Sequence, residues 1–289
     1  MSGWVLGVIG GSGLYDIDGL ENRRWIEVET PWGAPSDELL VGELGGVKLV
    51  FLPRHGRGHK LSPTGLPARA NIAALKIAGC TDILSLSAVG SLREPLAPGT
   101  FVVVDQFIDR TFAREKSFFG EGLVAHVSMA DPVCPRLSAL AAEAGREAGA
   151  NLVEGGTYLC MEGPQFSTRA ESFLYRSWNC DVIGMTNMPE AKLAREAELP
   201  YASVAMVTDY DCWREDEEHV EVDQIIACLN ANAARARDLV RRLAAKLTGP
   251  RAPSLIDTVL DTALITAPDA RDPAMIERLR PIAGRALGR

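Results

Sequence analysis

At 289 residues, with 47% hydrophobic and 24% charged side chains, the chain can bury a large core as one big domain or two smaller ones, and its composition is that of an ordinary soluble protein. A formal net charge of −8 argues against nucleic acid or an anionic membrane as partner, although a local cluster of donors can still hold a small anion. Six cysteines and four histidines show no CxxC spacing and no metal-like grouping, so neither a disulfide framework nor a metal site is expected, and a reducing cytoplasm is the default compartment. The N-terminus has no basic segment ahead of its short apolar run, and no run approaches the roughly 18 apolar residues that span a bilayer, so neither a signal peptide nor a membrane segment is expected.

Short apolar runs alternate with helix-length amphipathic stretches. The first strand is predicted over 4–9 (WVLGVI) and runs into the glycine-rich turn IGGSGLYD. Such a turn lets backbone N–H groups approach an anion, with the Ser12 hydroxyl as a further donor. It can equally be a plain tight turn. A dinucleotide site would need a third glycine that is missing, although Glu27 and Glu29 stand near the distance of a ribose-binding acid. Strands over 38–44 and 47–52 follow, the second ending in LPRHGRGHK. Arg54 can grip an anion with parallel hydrogen bonds and His55 can add another, or the cluster is a solvated basic loop.

A helix over 66–79 has Pro67 near its start and Gly79 at its end. The strand predicted over 82–88 leads into LSLSAVGSLRE, where Ser87 and the backbone near Ala88 offer donors. A strand over 100–108, a helix over 135–149 and a strand over 156–161 precede CMEGPQFSTRAES, which presents Phe166 and Ser167. An aromatic there can stack on a flat heterocycle or simply plug the core. Thr168 and Glu171 have capping-box spacing for a helix over 168–178. After a strand over 181–185, Thr186 and Asn187 begin a helix reaching 198, as N-caps or as an anion site. The strand over 201–208 ends in TDYDCW, with Asp209 and Asp211 two positions apart. An extended backbone would aim both carboxylates the same way. They either solvate a loop or serve chemistry.

A long helix over 221–249 and a tail with one or two helices complete the chain. The alternation predicts an α/β fold: a single domain with a mixed central sheet flanked by helices. The Gly/Pro stretch TGPRAPS suggests a main domain over 1–249 and a helical tail over 250–289, packed on the same domain or on a neighbouring subunit. Five strand ends offer small or polar donors and one offers paired acids, and ligands of α/β sheets sit where such ends meet.

IGGSGLYD, RHGRGH, GSLRE, DQFIDRT, EGPQFSTRAES, MTNMPEAKLAREA and TDYDCW stand in an order and spacing that resemble the 5′-methylthioadenosine phosphorylases of the trimeric purine nucleoside phosphorylase family, over about residues 5–247. The resemblance implies reversible phosphorolysis of S-methyl-5′-thioadenosine to adenine and 5-methylthioribose 1-phosphate. It implies inorganic phosphate as co-substrate, no metal or organic cofactor, and a homotrimer or a dimer of trimers. Ser12, Arg54, His55, Ser87, Ala88 and Thr186 match the phosphate pocket. Met185 matches the residue beside the ribose hydroxyls, and Phe166 and Ser167 match positions lining the base pocket. His126, lent by an adjacent subunit, and Val222 match positions around the 5′ substituent. Asp209 and Asp211 match the purine-facing acids, Asp209 as general acid at N7 and Asp211 orienting the adenine edge. An acid suits a 6-amino base better than a 6-oxo base. The alternative is a broader phosphorylase acting on adenosine or on inosine and its 5′-methylthio analogue. The tail beyond Gly249 departs from the family pattern.

Overall fold

The computed structural model describes residues 3–11, 13–214 and 222–288, with backbone only at 222–227 and 229. Eleven strands form one mixed sheet: β1 (Val5–Gly10), β2 (Glu21–Ile26), β3 (Leu39–Leu44), β4 (Val47–Pro53), β5 (Asp82–Ser91), β6 (Thr100–Val104), β7 (Gln106–Arg110), β8 (Asn151–Glu154), β9 (Thr157–Met161), β10 (Val182–Gly184) and β11 (Tyr201–Asp209). The helices are α1 (Ala68–Ile77), α2 (Pro135–Glu147), α3 (Arg169–Ser177), α4 (Asn187–Glu196), α5 (Val222–Lys246) and α6 (Pro273–Ala283).

The alternation of β-strand side chains sorts the core into two layers. Leu49 and Phe51 of β4 pack with Leu137 and Ala141 of α2 and Leu239, Val240 and Leu243 of α5. Their neighbours Val50 and Leu52 point the other way, to Ile72 of α1, Leu193 of α4 and Leu279 and Ile282 of α6. Each strand buried on both faces reads as a continuous apolar run, which is why β1, β4, β5 and β11 were legible as strands. The helix starts and stops follow the expected chemistry. Thr168 accepts from the Glu171 amide and Glu171 accepts from the Thr168 amide, a complete capping box, and Gly79 closes α1 at a φ of 88°.

Three differences from the sequence expectations concern strands. The run over 100–108 is two strands, broken at Asp105, because β6 pairs with β11 and β8 while β7 leaves to pair with β9. The strands β2 and β8 were missed; both are largely exposed and polar, so no apolar pattern marks them. The third concerns the acids. Asp209 ends β11, and Asp211 begins a 3-10 turn at a φ of 53° instead of continuing an extended strand. The shared strand face inferred for them is therefore not what brings them together.

The decisive feature of the sheet is a fork at β5. Strands β4, β1, β5 and β11 run parallel, so their C-terminal ends rise on one side. β11 follows one edge of β5 from Ile83 to Gly90. On the other edge β1 pairs only as far as Ser85, and β10 joins, antiparallel, at Gly90 and Ser91. Among the described residues no strand pairs positions 86–89 on that edge, and a crevice opens there.

Residues beyond α5 fold back over the α1 side. Arg251 bridges Asp82 and Asp257, and Arg285 bridges Glu198 and Asp261. The tail also pairs with the loop that carries His126: its amide donates to the Ala263 carbonyl at 2.9 Å, and the Ile265 amide to that of Val124 at 2.9 Å. No helix among the described residues is long and apolar enough to cross a membrane.

Candidate active site

Two adjoining cavities fill the crevice. One, of about 290 Å³, is lined by Gly11, Leu14, Arg54, His55, His59, Leu86, Ser87, Ala88, Thr186, Met206, Asn230 and Ala233. The other, of about 210 Å³, is lined by His55, His59, Pro63, Ala88, Val89, Gly90, Met161, Phe166, Ile183, Gly184, Met185, Thr186, Thr208, Asp209 and Asp211. His55, His59, Ala88 and Thr186 border both. The fold thus gathers the ends of β1, β4, β5, β10 and β11 into one site, with donors at one end and two acids at the other. A larger groove of about 590 Å³ lies along 27–38, but its charged groups Glu27, Glu29, Asp37 and Glu38 are all acidic and no residue expected at the site lines it.

At the donor end Arg54 is 2% exposed and firmly held. Nε donates to Glu190 Oε2 at 2.9 Å, Nη2 to Glu190 Oε1 at 3.1 Å and to Ser85 Oγ at 2.6 Å, and Nη1 to the Leu86 carbonyl at 3.0 Å. Burial works against its charge, but Glu190 outweighs that and holds its pKa above the ordinary value. Four of its five N–H groups are thereby engaged, so one Nη1–H remains for a ligand rather than a two-pronged fork. Glu190 also accepts from Ser85 Oγ at 2.6 Å and from Tyr201 Oη at 2.8 Å.

His55 is neutral near pH 7. Burial, with the adjacent Arg54 charge, pushes it down to about 4 against the pull of the Leu61 carbonyl. Its Nδ1 lies 2.9 Å from that carbonyl, which can only accept, so Nδ1 carries the proton and Nε2 is left as an acceptor. His59 stacks on it with centroids 4.2 Å apart. Ser87 Oγ is buried without a hydrogen bond of good geometry, and Thr186 Oγ1 contacts Asn187 Oδ1 at 3.4 Å. Ser12 lies outside the described residues.

At the acidic end, a bulge between Val207 and Asp209 shifts the β11 register and Gly90 makes room. A Cβ at Gly90 would lie 3.0 Å from Asp209 Oδ1 and 3.4 Å from Asp211 Cβ. The Asp211 amide donates to Asp209 Oδ1 at 2.8 Å and the Thr208 hydroxyl to Asp209 Oδ2 at 2.8 Å. Asp209 is thus held by the turn that follows it and by the preceding threonine. Asp211 is different. Burial, then the neighbouring Asp209 charge, raises its carboxyl to about 6, while the nearby hydroxyls of Ser172 and Ser167 pull the other way.

Phe166 is 67% exposed at the mouth, and the Ser167 hydroxyl donates to Met161 Sδ at 3.7 Å. Met185 lies between the two ends and is braced from behind. Arg114 donates to the carbonyls of Met185 and Met188 at 2.7 Å each. Glu162 holds Arg114 in turn: burial opposes its ionisation, but bonds from Thr64, the Phe112 and Ala113 amides and Arg114 outweigh it and keep the carboxyl at about 2.

One expected residue is not gathered here, and a second is described in its backbone alone. His126 is exposed and lines a separate cavity of about 420 Å³ with Lys116, Lys192 and Glu196. Val222 opens α5, but its side chain lies outside the described residues. Sequence reasoning missed Glu190, Gly90, Thr208 and Arg114. Glu190 lies inside the block MTNMPEAKLAREA, but nothing in that block shows what it pairs with. Its partner Arg54 is 136 positions away. Among the described residues no group of three His, Cys, Asp or Glu is placed to hold a metal ion.

Comparison with known proteins agrees with this geometry. The family model described as "Phosphorylase superfamily" matches residues 5–245. The chain is 64% identical over 285 residues to the S-methyl-5′-thioadenosine phosphorylase of Cereibacter sphaeroides, covering 98% of each. Among solved structures, it superposes with a TM-score of 0.92 on a methylthioadenosine phosphorylase from an Antarctic soil metagenomic library, at 47% identity and covering 98% of this chain and 99% of that one. The methylthioadenosine phosphorylase from Schistosoma mansoni in complex with adenine gives 0.80 at 40% identity, covering 84% of this chain and 91% of that one. The fold, the residues gathered at the fork of β5 and these matches agree: the chain belongs to the phosphorylase superfamily, in the family of the S-methyl-5′-thioadenosine phosphorylases.

Proposed function

We propose that the protein catalyses phosphorolysis of S-methyl-5′-thioadenosine: phosphate attacks C1′ of the sugar, the N-glycosidic bond breaks, and adenine leaves with a proton gained at N7. The observation that carries this reading is the bipolar crevice, with hydroxyls, one remaining Arg54 donor and β5 backbone at one end and the Asp209–Asp211 pair at the other.

Cleavage passes through an oxocarbenium-like sugar, so negative charge grows on the departing ring and a proton or hydrogen bond at N7 lowers the barrier. Burial, then the neighbouring Asp209 charge, lets Asp211 keep a proton up to about pH 6. Asp209 stands at the N7 edge as the general acid, and Asp211 orients the 6-amino group. Phosphate sits on the opposite sugar face among Ser12, Arg54, His55, Ser87, Ala88 and Thr186. With Nε2 of His55 an acceptor, it meets a protonated phosphate oxygen. Met185 packs beside the ribose, and Phe166 and Ser167 flank the base. Fixed donors and a positioned nucleophile supply most of the rate. The reading needs no metal or organic cofactor.

A homotrimer, alone or paired as a dimer of trimers, completes the site by lending His126 to a neighbour, while Val222 borders the 5′ substituent. Supporting this, His126 stands away from its own crevice, and Phe112 and Leu255 are 81% and 95% exposed. Residues 1–249 form the catalytic domain and 250–289 its helical tail. The protein acts in the cytoplasm, returning adenine to purine salvage and the thiosugar to methionine salvage.

The test is to incubate the purified protein with S-methyl-5′-thioadenosine, with and without phosphate, and follow adenine by chromatography beside adenosine, inosine and 5′-methylthioinosine. Phosphate-dependent adenine release, fastest from the methylthio substrate, is expected. Release mainly from the two inosines would overturn the base assignment.

A further inference from the structure

Tyr158 of β9 is fully buried, its ring packed against Phe107 with centroids 5.7 Å apart, yet its hydroxyl has no hydrogen bond of good geometry. Ser87 Oγ, 5% exposed, is in the same condition. The Tyr158 hydroxyl is close enough to interact with two others, Thr186 and Ser87. The room is made on purpose-built backbone: a Cβ at Gly184, on the adjoining strand β10, would lie 1.9 Å from Tyr158 Oη. Any side chain at 184 would expel the phenol.

We propose that Tyr158 is a positioning residue of the phosphate pocket, its hydroxyl donating to Ser87 Oγ and so turning the Ser87 proton toward the phosphate. The inference rests on the phosphorolysis reading. A hydroxyl carries one proton and two lone pairs, so Ser87 can donate to an anion only if its other contacts are acceptances. A phenol is the stronger acid of the two and the natural donor. Burial, then the neighbouring Cys160, keeps Tyr158 protonated across the working pH range. With no hydrogen bond of good geometry elsewhere, the one phenol proton is available to Ser87, in competition with Thr186.

The test is Y158F, which keeps the ring and deletes one oxygen. Loss of one neutral hydrogen bond predicts a rise of about three- to tenfold in the phosphate KM, with kcat at saturating phosphate and the nucleoside KM within about twofold of wild type. S87A should raise the phosphate KM at least as far, and the double variant no further than S87A alone, because the tyrosine acts through the serine. An unchanged phosphate KM in Y158F, an equal rise in the nucleoside KM, or additive effects in the double variant would each overturn the proposal. Calorimetric titration with inorganic phosphate separates it from the functional reading. If wild type binds phosphate but does not cleave the nucleoside, the activity fails and weaker binding by Y158F still supports the inference. If wild type binds no phosphate, both fall.

Discussion

Replacing Glu190 by glutamine leaves a buried guanidinium without its counter-charge. Arg54 and Glu190 are 2% and 8% exposed at the side chain and joined by a two-point contact, so solvent cannot take over the role of the carboxylate. Breaking such a pair by removing one charge costs about 3–5 kcal/mol. For a chain of this size that lowers the melting temperature on the order of 10 °C. The informative part is what phosphate does next. In wild type it meets an arginine whose charge is already balanced; in E190Q it becomes the only counter-ion available. Its affinity for the variant should rise by about tenfold, equivalent to about 1.4 kcal/mol of extra ligand stabilisation. The assay is urea denaturation of both proteins with and without saturating phosphate. The variant should start lower and recover more. In R54M/E190M, where both charges are removed at similar volume, the loss should be smaller than in E190Q and the extra phosphate response should vanish. If phosphate stabilises E190Q no more than wild type, Arg54 does not face the anion and its assignment fails.

Three further outcomes follow from the same geometry. D209A should lower kcat by about a hundredfold or more while the nucleoside KM moves little, and activity within a few-fold of wild type would remove Asp209 as acid. Asp211, raised from an ordinary 3.8 to about 6, binds its proton more tightly in the folded state. Its contribution is present below about pH 4 and is lost as pH rises through about 6, about 3 kcal/mol in all. The stability of D211N relative to wild type, read from urea midpoints, should therefore improve by up to that amount between about pH 4 and about pH 7, and a flat difference would refute the burial argument. Because Arg54 is balanced by Glu190 and His55 is neutral, phosphate binding draws on local dipoles more than on free charge. Its KM should change by less than about threefold between about 50 and about 500 mM sodium chloride, and a tenfold rise would show an uncompensated cation.

The sequence made the buried parts of the sheet readable because strands covered on both faces must be apolar throughout. It hid β2 and β8 for the converse reason: edge strands with polar, exposed side chains look like loops. The residues around the crevice were found where a short motif joins a strand end to a loop, as at Arg54, Ser87, Thr186 and Asp209. Tyr158 and Glu190 were not, because their roles exist only once distant segments meet: Tyr158 needs the missing side chain of Gly184, and Glu190 needs Arg54. The geometry of the acid pair was misjudged for a local reason. A bulge and a left-handed residue replace the extended backbone that the i, i+2 spacing assumes.

The early end of β1 has a consequence for how the protein spends its structural order. A strand that stopped three residues later would cover positions 86–89 of β5 and leave no crevice; stopping at Gly10 leaves a stretch of sheet that is fully organised yet lacks its neighbour. A ligand entering there takes the place of a missing strand. The backbone it meets is already fixed by β11 along the opposite edge, so little reorganisation accompanies binding, and its rigidity comes from the whole fold rather than from a loop that must close.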